Sequence, residues 1–244
     1  MRVPTTLRFR EMVPGNEFSC GLALDGTAWC WGRNDRGELG TGDNTNSQVP
    51  VAVIGNHRFV SLRGVFSHVC GLTADGVTWC WGSNANGQLG DSDDPRSSST
   101  PSLVRGDHRF VQLEVGEEHS CGLTAAGQAW CWGENSDGEL GHGTFVDQFQ
   151  PVAVDGGHVF ASLSLGSFHS CGRKADGATW CWGWNREGQL GDGSRLSRAR
   201  PVAVVGGLSF TSVPAFGWST CALLAGGESP CWGENPEGEI GSGA

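Results

Sequence analysis

The chain has 244 residues, with 26 acidic against 16 basic side chains and a formal net charge of −10 at pH 7. That balance argues against a nucleic-acid partner, because affinity for phosphate backbones comes from clustered lysine and arginine. The one dense basic cluster is Arg195, Arg198 and Arg200, which leaves a polyanion site there as a minor alternative. No stretch has the roughly 18 consecutive apolar residues of a membrane helix, so membrane insertion is not expected. Residues 1–5 lack the apolar core of a secretory signal, so any export signal is expected outside this sequence.

A Trp-Cys-Trp-Gly motif returns at intervals of 50 or 51 residues along the chain. It occupies 29–32, 79–82, 130–133 and 180–183, and a weakened copy, Pro-Cys-Trp-Gly, occupies 230–233. Such a period is typical of repeat architectures, in which each unit buries its apolar faces against its neighbours. We therefore predict one repeat domain over 1–244. Its five units are 1–49, 50–100, 101–150, 151–200 and 201–244.

The third unit shows the predicted elements in chain order. A short extended segment at 101–104 is followed by a strand pattern of alternating apolar and polar residues at 110–115. Two more predicted strands, 119–124 and 128–133, flank a turn at Ala126-Gly127, and the matching turn is Asp-Gly in three other units. Asp-Gly between extended runs indicates a hairpin, because both residues tolerate positive φ. Each unit is thus predicted to contain four short antiparallel strands.

The ten cysteines form five pairs, each separated by ten residues. The pairs are Cys20 and Cys30, Cys70 and Cys80, Cys121 and Cys131, Cys171 and Cys181, and Cys221 and Cys231. Folding the hairpin at 25–26 brings Cys20 nearly opposite Cys30, within the range that a disulfide spans. We expect five disulfides and an oxidising compartment, extracellular or periplasmic. Free buried thiols and a metal site remain alternatives, although zinc ligands are usually only two to four residues apart.

Both faces of the predicted sheet are apolar. Because side chains alternate along a strand, Cys30 points to one face while Trp29 and Trp31 point to the other. A sheet that is apolar on both faces has to be sandwiched, and four short antiparallel strands stacked between copies of themselves describe a propeller blade. We predict an all-β fold of such blades.

A second motif, Asn-x-x-Gly-Glu/Gln-Leu/Ile-Gly, follows the fourth strand of every unit, for example at 34–40 and 135–141. Together with His-Ser-Cys-Gly-Leu-Thr and the Trp-Gly motif, it resembles the repeat of the RCC1 (regulator of chromosome condensation) family, in a bacterial, cysteine-rich form. The resemblance covers nearly the whole chain and implies a β-propeller. Family members usually have seven repeats, whereas this chain has five. We expect a closed or nearly closed ring, in which Arg2-Val3 supplies the extended strand that follows the motif in each other unit and that would come after Gly243-Ala244 in the last one. The alternative is that the five blades are part of a larger array.

Histidines and tryptophans recur at fixed positions in the units. His68, His119 and His169 precede the first cysteine of their units, where they are expected to bond backbone groups of turns rather than to form a metal site. Trp31 and its equivalents are predicted to be core residues. Photoreception, known in some plant members of the family, is disfavoured because their Gly-Trp-Arg-His-Thr motif is absent.

The sequence contains no motif that indicates a catalytic site. The acidic loop 91–94 lacks the glycine and the bidentate glutamate of a calcium loop. Nucleophile elbows, phosphate loops and His-Glu-x-x-His motifs are all missing from the sequence. We therefore predict no enzyme activity, no catalytic residue, no metal site and no cofactor.

Recognition is expected where the repeats differ, in the loops 41–48, 91–100, 142–150 and 192–200 and next to the motifs. Aromatic residues and arginine are favoured at binding hot spots. The predicted partner-binding residues are Phe145, Phe149, Trp184, Arg195, Arg198, Arg200 and Trp218. The alternative for these side chains is that they pack beneath their own loops.

The sequence thus predicts a non-enzymatic, extracytoplasmic scaffold that presents variable loops to a protein partner of unknown identity. The resemblance also brings secreted bacterial members that inhibit enzymes by covering their active sites. Two alternatives remain: an exchange factor for a small GTPase, which is the function that the resemblance brings from the founding member, and a structural propeller that assembles with itself. The expected states are a monomer or an edge-joined oligomer.

Overall fold

The computed structural model describes residues 7–91, 95–238 and 240–241, in which every regular element is a β-strand. The first four sheets have four strands each and the fifth blade is split into two smaller sheets. Sheet one contains β1 (Phe9–Pro14), β2 (Phe18–Ala23), β3 (Ala28–Gly32) and β4 (Ser47–Ala52). Sheet two contains β5 (Phe59–Val65), β6 (His68–Thr73), β7 (Thr78–Gly82) and β8 (Ser98–Leu103). Sheet three contains β9 (Phe110–Val115), β10 (His119–Thr124), β11 (Ala129–Gly133) and β12 (Gln148–Ala153). Sheet four contains β13 (Ser162–Leu165), β14 (His169–Arg173), β15 (Thr179–Gly183) and β16 (Arg198–Ala203). The fifth blade contains β17 (Phe210–Ser212), β18 (Ala215–Phe216), β19 (Ser219–Cys221), β20 (Leu223–Leu224) and β21 (Cys231–Gly233).

All pairings between these strands are antiparallel, and the described residues contain no helix long and apolar enough to cross a bilayer. The predicted hairpin is present in each unit. In the third unit, β10 pairs with β11 so that Cys121 faces Cys131, and Gly127 closes the turn with a φ of +78°. The predicted all-β blade fold is confirmed.

Disulfide bonds join all five predicted cysteine pairs. Within each pair the Cα atoms are 4.0 to 4.1 Å apart, because the two residues face each other across the hairpin. Every bond therefore closes inside one blade, and no cysteine remains free.

The outermost strand of sheets one to four comes from the segment after the Trp-Gly motif. Strand β12 pairs with β11, with Val152 opposite Cys131 and an irregularity before Gln148 meets Gly133. Sheets one to three accordingly run from Phe9 to Ala52, from Phe59 to Leu103 and from Phe110 to Ala153. Sheets one to four are thus offset by one strand from the units delimited in the sequence.

The core lies in the seams between blades. In the first seam, Cys20 and Cys30 of sheet one pack in one buried cluster with Phe59, Leu62 and Trp81 of sheet two. The indole Nε1 of each following blade also donates to a backbone carbonyl of the preceding one. These bonds run from Trp81 to Glu38 at 2.9 Å, from Trp132 to Gln88 at 2.9 Å, from Trp182 to Glu139 at 2.7 Å and from Trp232 to Gln189 at 2.9 Å. The prediction that both faces of a blade are covered is confirmed for the inner blades.

The two end blades differ from the inner ones. On the first blade, Met12 is 52% exposed and Trp31 is partly exposed, whereas Leu62 and Trp81 at the matching positions are fully buried. The described part of the fifth blade lacks the outermost strand, which is formed by β4, β8, β12 and β16 in the other sheets. None of its described strands pairs with a strand of sheet one. Ring closure through Arg2-Val3 stays a prediction, because those residues, Gly243-Ala244 and most of the acidic loop 91–94 lie outside the described residues.

Candidate protein-binding surface

Each blade presents two variable side chains at neighbouring sites, which we call the paired positions. They lie three residues before the first cysteine and three residues after the second, so the Cys–Cys register brings them side by side. From blade one to blade five the pairs are Glu17 and Arg33, Ser67 and Ser83, Glu118 and Glu134, Phe168 and Trp184, and Trp218 and Glu234. The second residue donates its backbone N–H to the carbonyl of the first, at 2.8 to 3.2 Å.

The glycine of the Trp-Cys-Trp-Gly motif makes this close approach possible. Gly183 has a φ of +101°, and a Cβ there would lie 2.7 Å from the carbonyl oxygen of Phe168. A side chain would therefore push the paired positions apart. This explains why the motif ends in glycine in every unit, including the weakened fifth copy.

Backbone hydrogen bonds between blades align the paired positions of blades three, four and five. The N–H of Glu117 donates to the carbonyl of Ser167 at 3.1 Å, and the N–H of Ser167 donates to that of Gly217 at 2.8 Å. Each of these residues directly precedes the first paired position of its blade. The three loops consequently form one continuous surface.

Three aromatic side chains meet on this surface, and we call Phe168, Trp184 and Trp218 the aromatic patch. The ring centroids of Trp184 and Trp218 are 5.4 Å apart at an interplanar angle of 72°, and those of Phe168 and Trp184 are 6.4 Å apart at 78°. These edge-to-face contacts fix the rings relative to one another. Trp218 is 42% exposed and the neighbouring Phe216 is 46% exposed. Phe168 and Trp184 are partly exposed. The patch is therefore an ordered apolar surface that is partly open to solvent.

Carboxylates adjoin the patch on blade three, and we call Glu117, Glu118 and Glu134 the acidic rim. Burial raises the pKa of Glu134, and the nearby charges of Glu118, Asp147 and Asp137 raise it further. Burial and the charge of Glu118 likewise raise the pKa of Glu117. Among the described residues, no lysine or arginine forms a salt bridge with the rim. Its negative charge is therefore not compensated by a cation in the described part of the chain.

The structure brings together only two of the residues predicted to bind a partner, Trp184 and Trp218. Phe145 is 54% exposed but lies in the loop between β11 and β12. Phe149 lies in strand β12 and packs on the second blade, where a Cβ added at Gly87 would lie 2.8 Å from its ring. The sequence predicts Phe149 in the recognition loop 142–150, whereas strand β12 already begins at Gln148 and includes it.

The three predicted arginines are engaged in ion pairs on the fourth blade. Arg198 pairs with Asp192 at 2.9 Å, Arg200 with Asp155 at 2.6 Å and Arg195 with Glu187 at 3.8 Å. Arg198 and Arg200 belong to strand β16 rather than to a loop. Arg195 is the most exposed of the three, with 74% of its side chain accessible.

Sequence reasoning missed the acidic rim and left Phe168 out of the predicted binding residues. The signal was available, because Phe168 and Glu118 occupy the same position three residues before a cysteine. Reading that position together with the position three residues after the second cysteine would have predicted each pair.

The repeated histidines serve the blades themselves. Nε2 of His68, His119 and His169 lies 3.0, 3.0 and 2.8 Å from the hydroxyls of Ser120, Ser170 and Thr220. Each bond crosses to the next blade, so the partner is a side chain there rather than the turn backbone that the sequence suggested. No group of three or more potential ligands in the described residues could hold a metal ion.

The stacked antiparallel blades define the class of this protein, a β-propeller repeat protein. A family model described as regulator of chromosome condensation (RCC1) repeat matches residues 25–71, 75–123, 126–172 and 176–224. A second model of the same description matches 60–88, 110–139 and 160–189. The chain belongs to the RCC1 repeat family.

Curated relatives match over part of their length. Human E3 ubiquitin-protein ligase HERC2 is 30% identical over 151 residues, which are 60% of this chain and 3% of that protein. The ultraviolet-B receptor UVR8 of Arabidopsis thaliana is 28% identical over 133 residues, which are 52% of this chain and 30% of that protein. The chain thus spans less than a third of either relative.

Solved structures show the same fold. Prp20p of Saccharomyces cerevisiae superposes with a TM-score of 0.76 at 21% identity, covering 88% of this chain and 56% of that one. The ectodomain of the receptor kinase CR4 of Physcomitrella patens superposes with a TM-score of 0.64 at 26% identity, covering 96% of this chain and 54% of that one.

Proposed function

We propose that this chain is a non-enzymatic, extracytoplasmic scaffold that binds a partner protein through the aromatic patch. The observation that supports this proposal is the cluster of Phe168, Trp184 and Trp218, in which the rings meet edge to face, Trp218 is exposed, and Phe168 and Trp184 are partly exposed. Tryptophan is enriched at the energetic centres of protein interfaces, and rigid rings lose little conformational entropy on binding. Exposed rings stabilise their own blade less than buried rings would. An exposed apolar cluster is typical of an interaction site, which favours a role in recognition.

Five disulfides support the extracytoplasmic location, because such bonds persist in oxidising compartments. The likeness to the CR4 ectodomain, which is the extracellular part of a receptor kinase, agrees with it. Prp20p binds Gsp1p and histones, so a propeller of this fold has protein partners in that case. At 21% identity that likeness concerns the fold alone, so it does not carry the exchange-factor alternative over to this chain.

The test is capture of partners from the extracellular or periplasmic fraction of the source cells under non-reducing conditions. One bait has Trp184→Ala and Trp218→Ala; a second has Phe145→Ala and Arg195→Ala in the outer loops. A matched control has Leu24→Ala and Val111→Ala, which are 63% and 61% exposed elsewhere. We expect a partner that the first variant loses and the other two retain. Retention by the first variant, with thermal stability unchanged, would reject the patch as the binding surface.

A further inference from the structure

The first blade shows how a carboxylate at the paired positions is neutralised. Glu17 there forms an ion pair with Arg33, which also contacts Asp35 at 2.7 Å. The carboxylates of Glu17 and Asp35 raise the pKa of Arg33, so the guanidinium stays charged. A glutamate at the first paired position is therefore matched by an arginine at the second in this blade.

The third blade keeps the glutamate and lacks the arginine. Glu118 occupies the first paired position and Glu134 the second, with the N–H of Glu134 bonded to the carbonyl of Glu118 at 2.9 Å. The side chain of Glu118 accepts a hydrogen bond from the amide of Asn86, and that of Glu134 accepts one from the hydroxyl of Ser136. Both partners are neutral, so the charge that Arg33 supplies in blade one has no counterpart here.

The acidic rim and the aromatic patch adjoin each other. The backbone bond from Glu117 to Ser167 places the rim next to the residue that precedes Phe168. Gly183, which precedes Trp184, lies against Glu139 of blade three, where an added Cβ would be 3.3 Å from the Cα of Glu139. A group bound at the boundary would meet carboxylates on one side and indoles on the other.

We propose, on the basis of the function proposed above, that the partner protein inserts an arginine, flanked by apolar residues, at the boundary between the acidic rim and the aromatic patch. A guanidinium is planar, binds carboxylates through paired N–H groups and stacks on aromatic rings, whereas an ammonium is a compact, strongly hydrated charge. The flanking apolar residues contact Trp218 and Phe216, which are 42% and 46% exposed. The net charge of −10 favours the approach of a basic segment.

The test uses three synthetic peptides that differ at one position: acetyl-Gly-Leu-Arg-Leu-Gly-amide, its lysine analogue and its citrulline analogue. Citrulline has nearly the shape of arginine without its charge. Binding is measured by titration with detection of the indole N–H resonances. We expect the arginine peptide to bind about tenfold more tightly than the citrulline peptide, with lysine between them.

Two variants separate the contributions. Glu118→Gln with Glu134→Gln should reduce the affinity for the arginine peptide to that for the citrulline peptide, and Trp184→Ala should weaken all three. The matched control is Asp107→Asn with Asp176→Asn, two exposed carboxylates away from the site, and it should bind like the unaltered protein.

Equal binding of the arginine and citrulline peptides would overturn the inference, and so would the absence of arginine-peptide binding at millimolar concentration. Neither result decides the proposed function, which the capture experiment with the Trp184 and Trp218 variant tests independently. A partner lost in that experiment, combined with equal peptide affinities, would leave the patch as a binding surface and remove arginine as its ligand.

Discussion

The imidazole of His119 on the third blade reaches Ser170 on the fourth, with 3.0 Å between Nε2 and Oγ. Ser170 donates its single hydroxyl hydrogen to the carbonyl of Glu139 at 2.9 Å. The hydrogen in the first bond must therefore come from the histidine, which donates through Nε2 in its neutral form. The first seam has Phe18 and Val69 at the matching positions, both buried in one apolar cluster.

The apolar pair Phe18 and Val69 in the first seam predicts how the third seam responds to mutation. Replacing one member of the polar pair should destabilise the fold, and replacing both should destabilise it less. Ser170→Val alone leaves the buried N–H of His119 without an acceptor and should cost about 1–3 kcal/mol of unfolding free energy. Adding His119→Phe recreates the apolar pair of the first seam and should restore part of that loss. Urea denaturation of the two single variants and the double variant measures the effect. A double variant less stable than Ser170→Val would contradict the prediction.

The buried histidines also predict a loss of stability in acid. Burial lowers the pKa of His119 to about 3 and those of His68 and His169 to about 4. Unfolded histidine takes up a proton below about pH 6.5, so the stabilisation is present above that pH and is lost as the pH falls towards 4. Each histidine contributes a slope of about 1.4 kcal/mol per pH unit in that window. Chemical denaturation at a series of pH values, with the disulfides intact, checks this slope.

The buried carboxyl of Glu139 makes the fold less stable as the pH rises, which is opposite to the effect of the histidines. Burial is the main cause that raises its pKa to about 8, and the charges of Glu134 and Asp137 add to it. A raised pKa stabilises the fold at low pH, and that stabilisation is lost between the unfolded pKa, about 4.3, and 8. The histidines outweigh it below pH 6.5, so stability should be greatest near that pH and should decline towards pH 8.

The variant Glu139→Gln tests this assignment, because the matching residues in blades two and four are Gln88 and Gln189. We expect it to gain about 1–3 kcal/mol at pH 7 and to remove the decline in stability between pH 6.5 and 8. The same denaturation series provides the measurement. Unchanged pH dependence would show that Glu139 is not the titrating group.

Each disulfide is predicted to stabilise its own blade. Replacing Cys121 and Cys131 by serine opens a loop of separation 10, which corresponds to about 2–3 kcal/mol by loop-closure entropy. Thermal denaturation without reductant should show the loss, and the other four bonds should remain intact. The unaltered protein should have ten fewer hydrogens by mass than its fully reduced form, and a spectrum with ten free thiols would contradict the oxidised state.

Two glycines of the Asn-x-x-Gly motif, Gly141 and Gly188, allow the contribution of seam packing to be measured, because a side chain at Gly141 would meet the neighbouring blade and one at Gly188 would not. Gly141 has a φ of +67° and an added Cβ there would lie 2.7 Å from Nε1 of Trp182, whereas Gly188 has a φ of +86° and nothing within 4 Å. Alanine at Gly188 should cost about 1 kcal/mol from backbone strain alone. Alanine at Gly141 should cost at least about 2 kcal/mol more, because Trp182 must move. Equal thermal midpoints for the two variants would exclude the tight contact with Trp182.

Elements of the fold that depend on local contacts could be predicted from the sequence. The turn at Asp25-Gly26 and the pairing of Cys20 with Cys30 both lie within one hairpin, so the spacing alone determined them. The offset of the fourth strand could not be predicted, since the extended segments fit either neighbouring sheet by pattern. Which sheet they join depends on pairing with β3, β7, β11 and β15 across loops of variable length.

The proposed binding surface was only partly predictable for a related reason. Trp184 is aromatic at a position that is polar in the other four units, and Trp218 is aromatic at a position that is polar in units one to three. That contrast singled them out. Their contact depends on the alignment of neighbouring blades by backbone bonds, for which the sequence has no periodic signal. Phe149 was expected in a loop, because a large side chain in a variable segment resembles an anchor, whereas it lies in strand β12 next to Gly87. Its role in binding a partner stays a prediction.

The location of the disulfides has a mechanical consequence. Each one closes a hairpin within its blade, and none crosses a seam. Tension applied between the first and last blades would be resisted at each seam by noncovalent contacts: apolar packing, hydrogen bonds such as that from His119 to Ser170, and ion pairs such as that of Arg63 with Glu11. The molecule should therefore lengthen in separate steps as seams part, while the residues between paired cysteines stay locked and add nothing to its extension.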